Sequence, residues 1–256
     1  MTASGERAAL AAPAGNGVPV GGRGVEGVAG REVPESGLPL LAAVRAHETA
    51  TAFIDKSDEF LAAQGLTEHG RRHAGIVSSM AHNVLELLGG EPRTAELAAV
   101  AGYLHDIGNV VTRTDHGQTG ALFAYDIMKD LRVAPADMAT VLGAIGNHEE
   151  SYGRPVSDVS AAVILADKSD VHRSRVRPGA KLDADLHDRV NYAVTSSLIR
   201  VNATRATVTL ELEIDLAMSS KVEYFEIFLE RMTMCRRAAE TLGCTFHITA
   251  NGVVML

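Results

Sequence analysis

From residue 40 onward, apolar positions recur every three to four residues, with short polar or Gly/Pro breaks between runs. That period predicts seven helices in succession, over 40–61, 68–88, 94–105, 118–131, 136–146, 159–172 and 185–200. In the second, Ile76, Val77, Met80, Ala81, Val84 and Leu88 form the core stripe, and Gly89-Gly90 ends it. Seven helices joined by short connections make a mainly α body. Past residue 202 the period changes. Residues 207–214 (TVTLELEI) alternate as a strand does, and 219–242 form a long amphipathic helix. Two short segments, 245–249 (TFHIT) and 253–255 (VVM), then flank Asn251-Gly252, a dipeptide favoured in two-residue hairpin turns. Strand, helix and hairpin make a small C-terminal α+β appendage. The first 37 residues show neither period and hold nine of the 24 Gly, with Pro13, Pro19 and Pro34. Such a segment buries too little apolar surface to offset its ordering entropy, so a disordered tail is expected. The expected organisation is a tail at 1–37, a helical domain at 38–201 and the appendage at 202–256.

Composition narrows the class. The chain has 256 residues, 46% of them apolar, and a formal net charge of −8. The length suffices for one large domain with an appendage. The acidic balance argues against a general binder of nucleic acid or anionic membrane, because both need clustered positive charge. Two cysteines, Cys235 and Cys244, cannot build a disulfide framework and point to a reducing cytoplasm. No continuous apolar h-region precedes Pro34 and no apolar run is long enough to span a bilayer, so a cytoplasmic protein is expected. Ten histidines stand out, since no composition class explains them.

The histidines and certain aspartates fall in a pattern. His105-Asp106 follows the apolar run 98–104 directly. Asp167 ends the run 161–166, where an ionised carboxylate costs several kcal/mol unless it is paired or bound to a metal. Lys168 is the local candidate, but neighbouring helical side chains diverge by about 100°, which makes a metal the better partner. His73 opens the stripe of the second helix; His69, one turn earlier, is expected to be exposed.

Taken in order, Arg72-His73-Ala74-Gly75-Ile76-Val77, Tyr103-Leu104-His105-Asp106-Ile107-Gly108 and Ile164-Leu165-Ala166-Asp167-Lys168-Ser169-Asp170 resemble the signatures of the HD superfamily of metal-dependent phosphohydrolases. His116, in Asp115-His116-Gly117, and His148, in Asn147-His148-Glu149, are similar to the extra histidines of its binuclear members. Dinucleoside tetraphosphate hydrolases, HD-GYP phosphodiesterases and HD-type diiron oxygenases share that arrangement. The resemblance implies an HD-domain helical bundle, like the stand-alone bacterial HD proteins with this kind of tail. It implies one divalent ion on His73, His105, Asp106 and Asp167, and a second on His116 and His148 with Asp106 bridging. Two departures count against cyclic di-GMP hydrolysis: Glu149 stands where HD-GYP proteins carry a second histidine, and their Gly-Tyr-Pro signature is absent.

Imidazole and carboxylate suit Mn, Fe, Zn, Co or Mg, one or two ions, and a water activated between two metals needs no Ser or Cys nucleophile. The implied activity is hydrolysis of a small phosphomonoester or phosphodiester, nucleotide-like, with Asp106 and Lys168 as catalytic residues. Lys168, Arg173 and Arg175 are the candidates for substrate phosphate, with Asp170 orienting an arginine and weaker claims from Asn109, Arg113 and Gln118. Two alternatives remain: a mixed-valent diiron oxygenase on the same ligands, or a non-catalytic sensor of a metal or ligand. On the last helix, Phe225, Ile227, Phe228 and Met232 are expected in the core, with Arg231, Arg236 and Arg237 on a solvated face. The appendage has two candidate roles, a homodimer interface through its sheet edge or a wall over the pocket.

Overall fold

The computed structural model describes residues 26–30, 37–180, 182 and 185–255. The expected mainly α architecture with a small C-terminal sheet is what it shows. Nine α-helices lie among the described residues: α1 (Pro39–Ala46), α2 (Glu48–Ala63), α3 (Arg71–Leu87), α4 (Pro92–Leu104), α5 (His116–Asp130), α6 (Pro135–Gly146), α7 (Asp158–Ser169), α8 (Leu186–Ala193) and α9 (Lys221–Thr241). Their starts follow local chemistry. Pro39, Pro92 and Pro135 open α1, α4 and α6, where a missing N–H costs nothing. Ser157 caps α7, and Ser220 with Glu223 forms a reciprocal capping box on α9.

Two helices form the centre. Every residue of α4 from Ala95 to Leu104 is buried, and every residue of α7 from Val159 to Ser169. A helix apolar all round can only sit inside, and α3, α6 and α9 pack around this pair. Gly102 on α4 permits the close approach: a Cβ there would stand 3.0 Å from the Val77 carbonyl oxygen of α3.

The sheet departs from expectation in two places. Residues 194–200 do not continue α8; Val194–Asn202 is a strand, β2. An i,i+4 apolar rhythm runs across that boundary, but Ile199 and Val201 are buried on one face, and the strand pairs antiparallel with β3 (Thr207–Ile214) over its length. The helical part therefore ends near residue 193, not 201. The second departure lies in the expected tail. Glu26–Val28 is strand β1, antiparallel to β2 with Glu26 opposite Asn202. Ala29 is fully buried, and its carbonyl accepts the Asn83 side-chain amide at 2.6 Å. Gly27 lets this strand lie against Leu87, where a Cβ would come within 2.7 Å of a methyl carbon. Residues 1–25 and 31–36 of that expected tail lie outside the described residues.

Strand order is β1-β2-β3-β4-β5, where β4 is Thr245–Ala250 and β5 Val253–Val254. β3 and β4 are parallel and joined through α9, as a parallel pair requires. The β4–β5 turn has positive φ at Asn251 (52°) and Gly252 (72°), as the dipeptide predicted. The expected first helix is two, broken at His47. The buried stripe of Leu41 and Val44 loses phase there and restarts at Ala50, Ile54, Ser57 and Leu61. None of the described helices is long and apolar enough to cross a membrane.

Candidate metal centre

Five helix ends meet at one end of the bundle, and each delivers one or two side chains. His73 sits in the first turn of α3, His105-Asp106 directly after α4, and His116 opens α5; His148 follows α6, and Asp167 lies in the last turn of α7. α5 starts two residues earlier than expected, which moves His116 from a loop onto a rigid helix.

The six side chains converge, all of them buried. His73 Nε2 lies 3.2 Å from His105 Nε2, 3.4 Å from Asp167 Oδ1 and 3.5 Å from Asp106 Oδ2. His116 Nε2 lies 3.0 Å from both His148 Nε2 and Asp106 Oδ1. Asp106 therefore turns one oxygen to the His73–His105–Asp167 set and the other to the His116–His148 pair. Two overlapping groups, His73-His105-Asp167 and His105-Asp106-His148, each have their ligand atoms close enough to hold one ion.

The other ring nitrogens decide what the cluster needs. His73 Nδ1 donates to Asp170 at 2.7 Å, His105 Nδ1 to the Gly102 carbonyl at 2.8 Å and His148 Nδ1 to the Ile145 carbonyl at 2.7 Å. His116 Nδ1 donates to the Arg113 carbonyl at 2.9 Å, with Glu149 at 3.1 Å. Every Nδ1 thus carries a proton, and the four Nε2 atoms face one another and two carboxylates. Asp106 Oδ2 is buried with no hydrogen-bond partner. Arg113 Nη1, 3.4 Å from His116 Nε2, and Lys168 Nζ, 2.7 Å from Asp167, touch only the rim of this set, and nitrogens and carboxylates packed so closely are stable only around positive charge. The donor set of imidazole nitrogen and carboxylate oxygen fits a divalent ion.

The titration of the groups expresses the same demand. Burial alone would raise the carboxyls of Asp106 and Asp167. The imidazoles about Asp106, and Lys168 with His105 and His73 about Asp167, hold both well below the usual carboxylate range. Burial opposes charge on His105, yet Asp106 and Asp167 raise it to about 10. Burial pushes His148 down to about 4, despite Asp106. Burial likewise opposes charge on His116, yet Asp106 and Glu149 raise it, so the carboxylates of the centre favour positive charge on the rings beside them.

The surrounding residues partly redistribute the expected roles. Asp170 does not simply steer an arginine: it holds His73, and Arg72 reaches it at 3.2 Å. Its three-residue offset from Asp167, one helical turn, was the signal. Lys168 is buried, with Nζ 2.7 Å from Asp167 Oδ2 and 3.2 Å from Glu150. α7 ends at Ser169, so Arg173 and Arg175 fall in a short 3-10 turn and not on its helix face. Arg175 is buried and spends its donors on the carbonyls of Glu68 and Asp170, while Arg173 stands over the Tyr192 ring at 5.3 Å. Arg175 Nε lies 3.8 Å from Asp170 Oδ2, behind His73 and not among the six converging side chains.

Arg113 does: its Nη1 lies 3.7 Å from Asp106 and donates to Asn109 at 3.2 Å, with the guanidinium part-exposed. Asn109 is buried in the turn, donating to the Asp106 carbonyl at 2.9 Å, and Gln118 is exposed. His69 is buried, not exposed as expected; its ring packs edge-on to His73 at 5.4 Å and donates from Nδ1 to the Thr67 carbonyl at 2.7 Å. Glu149 accepts the Gly117 amide at 2.6 Å and the Tyr152 hydroxyl at 2.7 Å, which ties the start of α5 to the end of α6. Glu150 was missed, because nothing in its spacing marks it.

Residues 54–172 match the HD domain family, a span that contains all six converging side chains. The chain is similar, at 29% identity over 186 residues, to an uncharacterized protein of Methanocaldococcus jannaschii; the alignment covers 64% of this chain and 69% of that one. No solved structure matches the chain significantly. HD domains are in general metal-dependent phosphohydrolases that bind divalent ions.

Proposed function

We propose, from the match of residues 54–172 to the HD domain family, that this protein hydrolyses a small phosphomonoester or phosphodiester, nucleotide-like, at a centre of one or two divalent ions. The observation that carries the reading is the Asp106 carboxylate, buried between two histidine pairs with one oxygen turned to each. His73, His105, Asp106 and Asp167 would hold one ion, and His116, His148 and Asp106 the other. Ions held there supply Lewis-acid polarisation of a phosphoryl oxygen and acidify water enough to make it a nucleophile at neutral pH.

The chain's own residues do the rest. Asp170, the Gly102 carbonyl, the Arg113 carbonyl and the Ile145 carbonyl fix the four rings with Nε2 inward, so the donors need no reorganisation when substrate arrives. Arg113, beside the His116 half, is placed to pair with non-bridging phosphate oxygens, a task the planar guanidinium suits. Lys168 takes a positioning role on Asp167, because its ammonium is already shared between two carboxylates.

The test is a phosphatase and phosphodiesterase substrate screen on protein loaded with Mn or Fe, beside Asp106→Asn. Turnover of an aryl phosphate or nucleotide is expected, with Asp106→Asn lowering kcat by about a thousand-fold or more, the loss typical when a transition-state charge stabiliser goes. A folded, metal-loaded sample inert on every phosphorylated compound overturns the proposal. A half-oxidised EPR signal with no activity in Mn would instead identify the diiron oxygenase that the same ligands allow.

A further inference from the structure

Four side chains of alternating charge run from the histidine–carboxylate cluster to the C-terminal unit. Asp167 turns Oδ1 toward His73 and His105, and its Oδ2 takes Lys168 Nζ at 2.7 Å. Lys168 Nζ also reaches Glu150 Oε1 at 3.2 Å, and that same oxygen receives Arg231 Nε at 2.9 Å. Arg231 belongs to α9, and its guanidinium stands over the Phe228 ring at 4.8 Å, on a side chain that is itself buried. The side chains of Lys168 and Asp167 are only 8% and 11% exposed, so water can do little to satisfy either charge. Arg231 is therefore not part of a solvated face as its helical position suggested; it ends a chain of ion pairs that begins at a candidate metal ligand.

The competition inside this chain gives it a direction. Two carboxylates share the Lys168 ammonium, and the shorter contact is to Asp167. Arg231 draws on the Glu150 oxygen that would otherwise pull Lys168 away. We propose that Arg231 is a positioning residue for the metal centre: by engaging Glu150 it leaves Lys168 on Asp167 and so sets how strongly Asp167 binds a divalent ion. The C-terminal unit is then a working part of the site, not a separate module attached to it. This inference rests on the metal-centre reading above.

Its signature is a pair of opposite effects. Without Arg231, Glu150 holds Lys168 more tightly, Asp167 is relieved of its cation, and ion affinity rises. Without the Glu150 charge, Lys168 falls wholly to Asp167 and ion affinity drops. With Glu150 already neutral, Arg231 has nothing left to act through. The experiment is isothermal titration of chelator-stripped full-length protein with Mn2+, for wild type, Arg231→Gln, Arg231→Lys, Glu150→Gln and the double variant Arg231→Gln/Glu150→Gln. Thermal unfolding of each checks that it is folded.

Arg231→Gln should tighten Mn2+ binding about five-fold and Glu150→Gln weaken it by a similar factor, typical of coupled members of one ion-pair network. The double variant should match Glu150→Gln alone, and Arg231→Lys should stay near wild type because it keeps the charge. Weaker binding in Arg231→Gln, or a double variant in which the two single effects simply add, overturns the inference and leaves Arg231 a packing residue. Absence of Mn2+ uptake by the wild type overturns the metal-centre reading itself, and this inference with it.

Discussion

Gly108→Ala is expected to unfold the protein partly and to disable one half of the metal centre while sparing the other. Gly108 lies in the short turn after Asp106, and a Cβ there would stand 2.0 Å from the His116 carbonyl oxygen and 2.5 Å from the Gly120 amide nitrogen. Both atoms are backbone in the first five residues of α5, so no rotamer change relieves the clash. Ordinary van der Waals contact begins near 3.4 Å, so the helix start must retreat by more than an ångström. Overpacking of this kind costs about 1–3 kcal/mol, and the absence of any side-chain escape puts it near 3. At about 2–4 °C per kcal/mol for a chain of this size, the midpoint should fall by about 6–12 °C.

The same retreat separates His116 Nε2 from Asp106 Oδ1, now 3.0 Å apart. His73, His105 and Asp167 stand on other elements and keep their places. Under the two-ion form of the proposed centre, metal per chain after equilibrium dialysis against Mn2+ should then fall from two to one, read by elemental analysis beside a calorimetric melt. An unchanged midpoint together with unchanged metal content would refute the close-packing argument for this turn.

Two further outcomes follow from contacts behind the ligands. Asp170→Asn removes the charge that accepts the His73 Nδ1 proton at 2.7 Å and should weaken Mn2+ binding about ten-fold, the low end for loss of a partner behind a metal-bound histidine; titration calorimetry reads it directly. Asp58, on α2, accepts from the His69 amide in the loop before α3 at 2.9 Å and from Arg177 at 2.6 Å. Partial burial would raise its carboxyl, but those partners outweigh it and leave the value below the ordinary one. A group lowered on folding contributes stability above its unfolded value, near 4, and loses it as pH falls through the folded value. Midpoints measured from pH 5 down to pH 2 should therefore drop less steeply in Asp58→Asn than in wild type, and parallel curves would contradict the pairing.

Some of this was legible along the chain because it is local. Helical periodicity, the Asn251-Gly252 turn and the alternation of Thr207–Ile214 each depend on neighbours a few residues away, and each appears where expected. The positions of His73, His105-Asp106 and Asp167 were readable for a related reason: polar ligands at the ends of apolar runs violate the burial pattern that surrounds them. The end of α8 was not readable, since the apolar rhythm of 185–200 fits either period and only pairing with β3 chose strand from residue 194. Glu26–Val28 gave no signal at all, because a Gly-rich segment gains its order from an edge and the Leu87 surface, not from itself.

What the sequence by itself determined is the class of the protein and the identity of the converging residues: a helical body, an α+β tail, and a His/Asp set with the order of an HD domain. Only the tertiary structure decided that these ligand atoms meet and that Asp170 orients the His73 ring; the other three rings donate to the carbonyl three residues back, a local contact. It also tied Arg175 to the carbonyls of Glu68 and Asp170 and brought Glu150 and Arg231 beside Lys168. Those assignments join residues far apart in the chain, and long-range charge pairing leaves no periodic trace for a sequence to show.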